Sequence, residues 1–399
     1  MLDIKKDNCT GCTACVNICP KDAITMVEDE EGFYYPKINK EKCINCNLCK
    51  KICPTINNIN NLIKENNLKE IYGVHILDKN ILEKSASGGA FTGIVNSFCD
   101  ENYVIFGARF DDKFQVIHDY VTSKDKIDVF RKSKYVQSDL RNCFKLAKSF
   151  LNEGKKVLFS GTPCQIAGLK CFLRKEYENL LCVDIICHGV PSYKVFNKYL
   201  NYLVKKEKIT DLSSIKRIEF RKKIIKKEKI NSKNLMIVLK NGKKMISDST
   251  ENLYLKGYGE RLFLRPSCAN CKFASKKRYS DITIADCWGI ENIYSNINPH
   301  VGESLIIINT KKGQKIVNKM KTSFDFINLN EEFVCKYNEC YHTPTQFHIK
   351  RNLFFDNLDN MNFKKNIKIC LRPVGIKNKI KYIIPKPIKK LIKKAIKRV

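Results

Sequence analysis

The chain has 399 residues, enough for two or three domains with a substantial core, and its 43% hydrophobic content is that of a globular protein. Its 73 Lys and Arg against 41 Asp and Glu leave a formal charge of +32, which favours acidic partners, nucleic acid or an anionic membrane face, although abundant Lys, Ile and Asn make part of the bias compositional. Twenty cysteines, no signal-like start and no run of the ~18 apolar residues that spans a bilayer exclude a secreted disulfide scaffold and a membrane span, and point to metal and free thiols in a reducing cytoplasm.

Residues 1–57 carry two cysteine ladders of one spacing. The first is Cys9, Cys12, Cys15 and Cys19, the second Cys43, Cys46, Cys49 and Cys53, and a proline follows the last cysteine of each. Three thiolates on a tight loop and a fourth from the other ladder suit a cubic iron–sulfur cluster. Cys9, Cys12, Cys15 and Cys53 then hold one 4Fe–4S cluster, and Cys43, Cys46, Cys49 and Cys19 the other. A zinc site needs only two C-x-x-C pairs, so the third cysteine, the proline and the duplication speak against it. The region reads as a bacterial-type ferredoxin domain whose insert, with β-prone runs at 23–27 and 33–38, forms a hairpin. Residues 58–70, rich in Asn and Lys, read as a linker.

A mixed α/β region follows, giving a multidomain chain of α+β and α/β parts. Its first part, 71–153, has strands at 71–76, 103–110 and 115–121, an apolar helix at 90–99 after Ser87-Gly88-Gly89, and an amphipathic helix at 140–152. Its second part, 154–350, opens with two strand–helix units: strand 156–160 with helix 164–174, and strand 180–187 with helix 193–204. The run 180–187 is almost wholly apolar, as a buried parallel strand is. Residues 216–246 read as basic antiparallel strands turning at Asn241-Gly242. Strands at 280–286 and 305–309 and a further helix complete the region. At 376–399 an apolar stripe of Ile388, Leu391, Ile392, Ala395, Ile396 and Val399 faces Lys389, Lys390, Lys393, Lys394, Lys397 and Arg398. This is a basic amphipathic tail suited to an anionic membrane surface or an acidic partner.

Four further cysteines stand at strand ends or in a C-x-x-C pair: Cys164, Cys187, Cys268 and Cys271. A right-handed crossover would bring Cys164 and Cys187 to one sheet edge. Spacing alone leaves two readings open: a four-thiolate site, or two core cysteines and a separate zinc or redox pair. Amides at Ser87-Gly88-Gly89 could meet a cofactor phosphate, or form only a turn. Lys134 and Tyr135 could add a charge and an aromatic face, or belong to an ordinary surface. His188 reads equally as a tuning group or a packed loop histidine. Cys99, Cys143, Cys171, Cys182, Cys287 and Cys370 read as core or incidental thiols; Cys335, Cys340 and His342 stand close together and could bind metal, with packing the stronger reading. No catalytic side chain is singled out.

These motifs together resemble the beta-subunit family of coenzyme F420-reducing hydrogenases and dehydrogenases. The pieces are Ser87–Gly89, Ser133–Ser138, Gly161–Gln165, Cys187–Ser192, Arg265–Cys271 and Ser280–Gly289, over roughly residues 70–310. The resemblance implies a flavin-binding domain, with FAD near Ser87, Gly88, Gly89, Lys134, Tyr135, Gln137 and Ser138. It implies a third 4Fe–4S cluster on Cys164, Cys187, Cys268 and Cys271. It also implies exchange of electrons with a redox partner protein (ferredoxin or a catalytic subunit) and with the deazaflavin coenzyme F420 or another two-electron organic acceptor. Some relatives look like parts of surface-polysaccharide pathways, which would suit a cytoplasmic protein held peripherally at the inner membrane face. The basic segment after Phe220, Ala285 and Cys287 depart from the family pattern. An electron-transfer subunit without a substrate site, docked to a partner enzyme, and a nucleic-acid binder with structural clusters are the competing readings.

Overall fold

The computed structural model describes residues 3–57, 68–226, 229–294 and 302–372. The tail at 376–399 and most of the linker at 58–70 lie outside the described residues. Among the described residues no helix is long and apolar enough to cross a membrane.

The N-terminal module consists of α1 (Ala14–Ile18), β1 (Ile24–Glu28), β2 (Tyr34–Ile38) and α2 (Leu48–Lys51). The expected hairpin forms between the ladders, with Ile24 opposite Ile38 and Glu28 opposite Tyr34. Asp29 closes its turn, its Oδ1 accepting from the amides of Glu31 (3.1 Å) and Phe33 (2.9 Å). An aspartate that caps its own turn is a common way to end a short hairpin.

The second region begins with β3 (Glu70–Ile76), α3 (Lys79–Lys84), α4 (Ala90–Phe98), β4 (Tyr103–Phe110), β5 (Val116–Val121) and α5 (Cys143–Asn152). It continues through β6 (Lys156–Gly161), α6 (Pro163–Leu173), β7 (Leu180–Ile185), α7 (Tyr193–Lys206), β8 (Ile215–Lys226), β9 (Lys229–Leu239), β10 (Lys244–Asp248) and α8 (Leu253–Gly259). The last elements used below are β11 (Ile282–Asp286), β12 (Ser304–Ile308), α9 (Lys311–Met320) and β13 (Phe324–Leu329). Eight strands form one mixed sheet in the order β13-β3-β12-β11-β7-β6-β4-β5. The stretches 71–153 and 154–350 are therefore interleaved in one sheet, with β3 between β12 and β13.

β4, β6, β7 and β11 run parallel to one another. β12 is antiparallel to both β11 and β3, so β3 shares their direction. The apolar run expected to be a buried parallel strand is β7, enclosed on both sides. Alternation sorts the side chains. Val104, Phe106, Val157, Phe159 and Cys182 pack under α5 and α6, together with Ala14 and Ile52 of the N-terminal module. Ile105, Leu158, Leu181 and Ile306 face α4 and α9. The N-terminal module thus shares a core with the sheet. β8, β9 and β10 form the expected basic antiparallel sheet, apart from the large one, and Gly242 takes the turn's positive φ of 87°.

Candidate metal centres and cofactor cavity

The ladders fold into two small cavities. One is lined by Cys9, Cys12, Cys15 and Cys53 with Ile4, Met26 and Pro54. The other is lined by Cys19, Cys43, Cys46 and Cys49 with Pro20, Ile24 and Ile44. Each ladder lends its fourth cysteine to the other, the crossed arrangement that the spacing suggests. The duplication extends to the backbone. Gly11 and Asn45 hold equivalent left-handed positions (φ 69° and 54°), as do Thr13 and Asn47 (56° and 59°). These kinks turn successive thiols to one side of each loop. Burial, followed by the neighbouring thiol Cys53, pushes Cys12 well above the usual thiol range. A set that must ionise in such a place needs cationic metal to offset it.

The third group assembles at the C-terminal edge of the parallel strands, where α/β sheets usually bind ligands. Cys164 opens α6 behind Thr162 and Pro163, Cys187 follows β7, and Cys268 ends the short helical turn Pro266–Cys268. With Cys271 all four line one large cavity. Cys187 is pushed far up, first by burial and then by Cys268, Cys164 and Cys271. Burial raises Cys164 to about 11 and Cys268 to about 12.

The first and third groups meet across α6. Gly168 stands one helical turn after Cys164, on the same face. A Cβ there would lie 3.0 Å from Cys12 Sγ and 2.9 Å from its Cβ. Only glycine lets the first ladder approach this closely. Arg265 completes the contact, donating to Cys9 O at 2.8 Å, Tyr34 O at 3.0 Å and Gln137 Oε1 at 3.0 Å. Gln137 Nε2 in turn donates to Thr10 O at 3.0 Å.

The cavity is about 350 Å³, within the range of small-molecule sites. Ser87, Gly89, Lys134, Tyr135, Gln137 and Ser138 line it. Gly88 does not; its Cα faces Val74 O and Ser304 N, and a Cβ would come within 2.1 and 2.6 Å of them. Gly88 thus seats the loop on β3 and β12. Two lysines, Lys134 on the cavity wall and Lys223 outside its lining, are engaged within the protein. Lys134 Nζ donates to the carbonyls of Val129 (2.9 Å) and Arg131 (2.8 Å), and burial lowers its pKa to about 7. Lys223 Nζ donates to Leu82 O (2.7 Å) and Ser87 O (2.9 Å); burial, then Arg221 and Lys132, lower it to about 8. Neither has a carboxylate partner among the described residues.

Sequence reasoning missed His118. Burial lowers it to about 4, so it is neutral at pH 7. Its Nε2 lies 2.9 Å from Ser160 O and its Nδ1 2.8 Å from Ser138 Oγ. Gln165 Nε2 donates to the same hydroxyl at 2.9 Å, and Gln165 Oε1 accepts from the Thr162 amide at 2.9 Å. This chain fixes the loop that carries Cys164. Its one sequence signal is a histidine among inward positions of β5. His188 lies between Cys187 and Gly189 on the cavity wall. At the far end Arg221 grips Asp286 through two bonds (2.5 and 3.1 Å), and Lys233 Nζ stands 4.8 Å from the Trp288 ring centre. Cys287 is buried in the core, and Ala285 lines the cavity.

Residues 154–332 match the family model for the C terminus of the coenzyme F420 hydrogenase/dehydrogenase beta subunit, and residues 8–57 match the 4Fe-4S dicluster domain. No curated protein matches the chain. Among solved structures, a chain of the F420-reducing [NiFe] hydrogenase complex from Methanosarcina barkeri is similar at 18% identity and a TM-score of 0.43. The match covers 77% of this chain and 92% of that one.

Proposed function

We propose that the chain, whose residues 154–332 match the C-terminal model of the coenzyme F420 hydrogenase/dehydrogenase beta subunit and whose residues 8–57 match the 4Fe-4S dicluster domain, is an iron–sulfur flavoprotein oxidoreductase of that family. In this reading the two ladder sets and the set of Cys164, Cys187, Cys268 and Cys271 each hold a 4Fe–4S cluster, and the large cavity holds FAD. When bound, the clusters carry single electrons and the flavin exchanges them for the hydride of a two-electron organic partner. The observation that carries the reading is the contact across α6. Cys12 packs where a Gly168 side chain would be, one turn from Cys164, and Cys164 lines the cavity. The first ladder, the third set and the cavity thus form a continuous series.

The chain's own residues fit these groups. Lys223, whose Nζ donates to Ser87 O, sets an enclosed amine against the Ser87 loop, and Lys134 sets another on the cavity wall; once protonated, both suit the phosphates of a dinucleotide. Because their own hydrogen bonds go to carbonyls, they supply wall and charge on protonation rather than adaptable contacts. The His118–Ser138–Gln165 chain holds Cys164 in place without adding charge. Trp288, flanked by Lys233 and by the Arg221–Asp286 pair, suits a planar, anionic acceptor such as the deazaflavin coenzyme, or another two-electron compound of surface-polysaccharide metabolism. The second ladder set is peripheral, with Cys46 exposed and Lys40, Lys42, Lys50 and Lys51 around it without ion pairs among the described residues. That face supports docking of an acidic redox protein, and so also the reading of an electron-transfer subunit that serves a separate catalytic chain.

Anaerobic purification with iron, sulfide and cofactor analysis tests the proposal. It predicts about twelve irons per chain and extractable FAD. About eight irons would remove the third cluster, and absent flavin would remove the oxidoreductase reading. FAD with twelve irons but no turnover of small acceptors would favour the subunit reading.

A further inference from the structure

Four arginines are buried: Arg221, Arg265, Arg278 and Arg351. Three have a carboxylate: Asp286 for Arg221, Asp184 for Arg278 and Glu31 for Arg351. Arg265 has none among the described residues, though it is 1% exposed. It binds three neutral acceptors, and its guanidinium lies over the rings of Tyr35 (4.4 Å) and Phe33 (5.4 Å). A buried cation without a counter-charge is expensive, so a negative group nearby is expected to answer it. The groups on either side of Arg265 are thiols. Its side chain binds the carbonyl of Cys9, a member of the first set. Its backbone leads three residues on to Cys268 in the third, whose amide donates to Arg265 O at 2.9 Å.

We propose that Arg265 is a positioning residue shared by two metal centres, whose unpaired guanidinium keeps the first and third cysteine sets in register and favours the reduced state of both. This rests on the reading that those sets hold clusters. Reduction adds one electron and breaks no bond, so each centre becomes more negative. A fixed cation in a low-dielectric wall stabilises that state. A cation answering to both centres makes reduction of the first compatible with onward reduction of the third, because neither is left in a deep potential well relative to the other. The second ladder set lines a separate cavity and is expected to lie outside its influence.

The test is a reductive titration of the anaerobically reconstituted full chain, followed by electron paramagnetic resonance. Arg265→Gln is expected to make the first and third sets at least tenfold harder to reduce, which is about 59 mV for one electron. The set of Cys19, Cys43, Cys46 and Cys49 stays unmoved, and Arg265→Lys restores most of the shift. Gln137→Glu places a carboxylate against an intact Arg265 and is expected to lower the same two potentials, so it decides the matter if Arg265→Gln fails to fold. Unmoved potentials at full iron content, or equal shifts of all three sets, overturn the inference and leave the cluster reading intact. A wild-type third set that takes up no iron overturns that reading and the inference with it.

Discussion

In the first ladder the left-handed residue between the leading cysteines is Gly11; in the second it is Asn45. Both satisfy the backbone, but only Gly11 faces another domain, where a Cβ would meet Gln137 Nε2 at 2.9 Å and Arg265 Nη1 at 3.1 Å. Cys9 and Cys53 of the first set are 6% and 8% exposed, whereas Cys46 of the second lies at the surface. One spacing therefore serves two environments, an inner site pressed on α6 and an outer site ringed by lysines. The difference comes from what the module docks against, not from the ladders themselves.

The docking is where that contrast breaks most easily. Arg351 holds Glu31 of the hairpin through two hydrogen bonds, at 2.9 and 2.5 Å, with both groups largely buried. Arg351→Ala is expected to cost about 3–5 kcal/mol in denaturant unfolding. Removing Lys6, whose pair with Asp29 is solvent-exposed on the lysine side, should cost about 1 kcal/mol or less. Next come the equivalent positions themselves. Gly11→Ala combines a left-handed alanine with a clash and should cost about 2–3 kcal/mol, against about 1 kcal/mol for Asn45→Ala. Equal losses would mean that the two loops do not differ in docking.

Metal removal sharpens the same comparison. An iron chelator added to the reconstituted protein should strip the outer set first, in a fast phase of about four irons, with the inner and third sets following slowly. A single phase would contradict the difference in burial. The smallest expected effect on stability belongs to Lys50→Glu with Lys51→Glu, within about 0.5 kcal/mol. Its signature is instead a weaker association with an acidic redox protein at low salt, a difference that fades as salt is raised.

The crossed ladder pairing was legible because tight loops of fixed spacing leave little choice. The mixed α/β class was legible too, from apolar runs such as 180–187 alternating with helical segments. The sheet order was not. β3 enters between β12 and β13 through pairings more than two hundred residues apart, and β13, broken by Asp325 and Asn328, carries too little apolar alternation to stand out. The convergence of Cys164, Cys187, Cys268 and Cys271 could be suspected from strand ends, but the C-x-x-C pair arrives from a loop that no local pattern positions. The sequence was silent on which ladder faces inward, apart from a glycine where the other ladder has asparagine. It was equally silent on Lys134, whose ammonium is turned onto carbonyls of the preceding turn, and on the missing carboxylate beside Arg265. Both depend on where distant backbone lies.

The central claim is that the first ladder set, not the second, adjoins the third. Electron paramagnetic resonance of the fully reduced protein tests it most directly, using Cys46→Ala and Cys12→Ala variants whose iron content shows that only the altered set is lost. With the outer set removed, the two remaining centres should still show magnetic coupling to each other. With the inner set removed, the coupling should vanish and leave two independent signals. Coupling that survives loss of the inner set and disappears with the outer one would contradict the account.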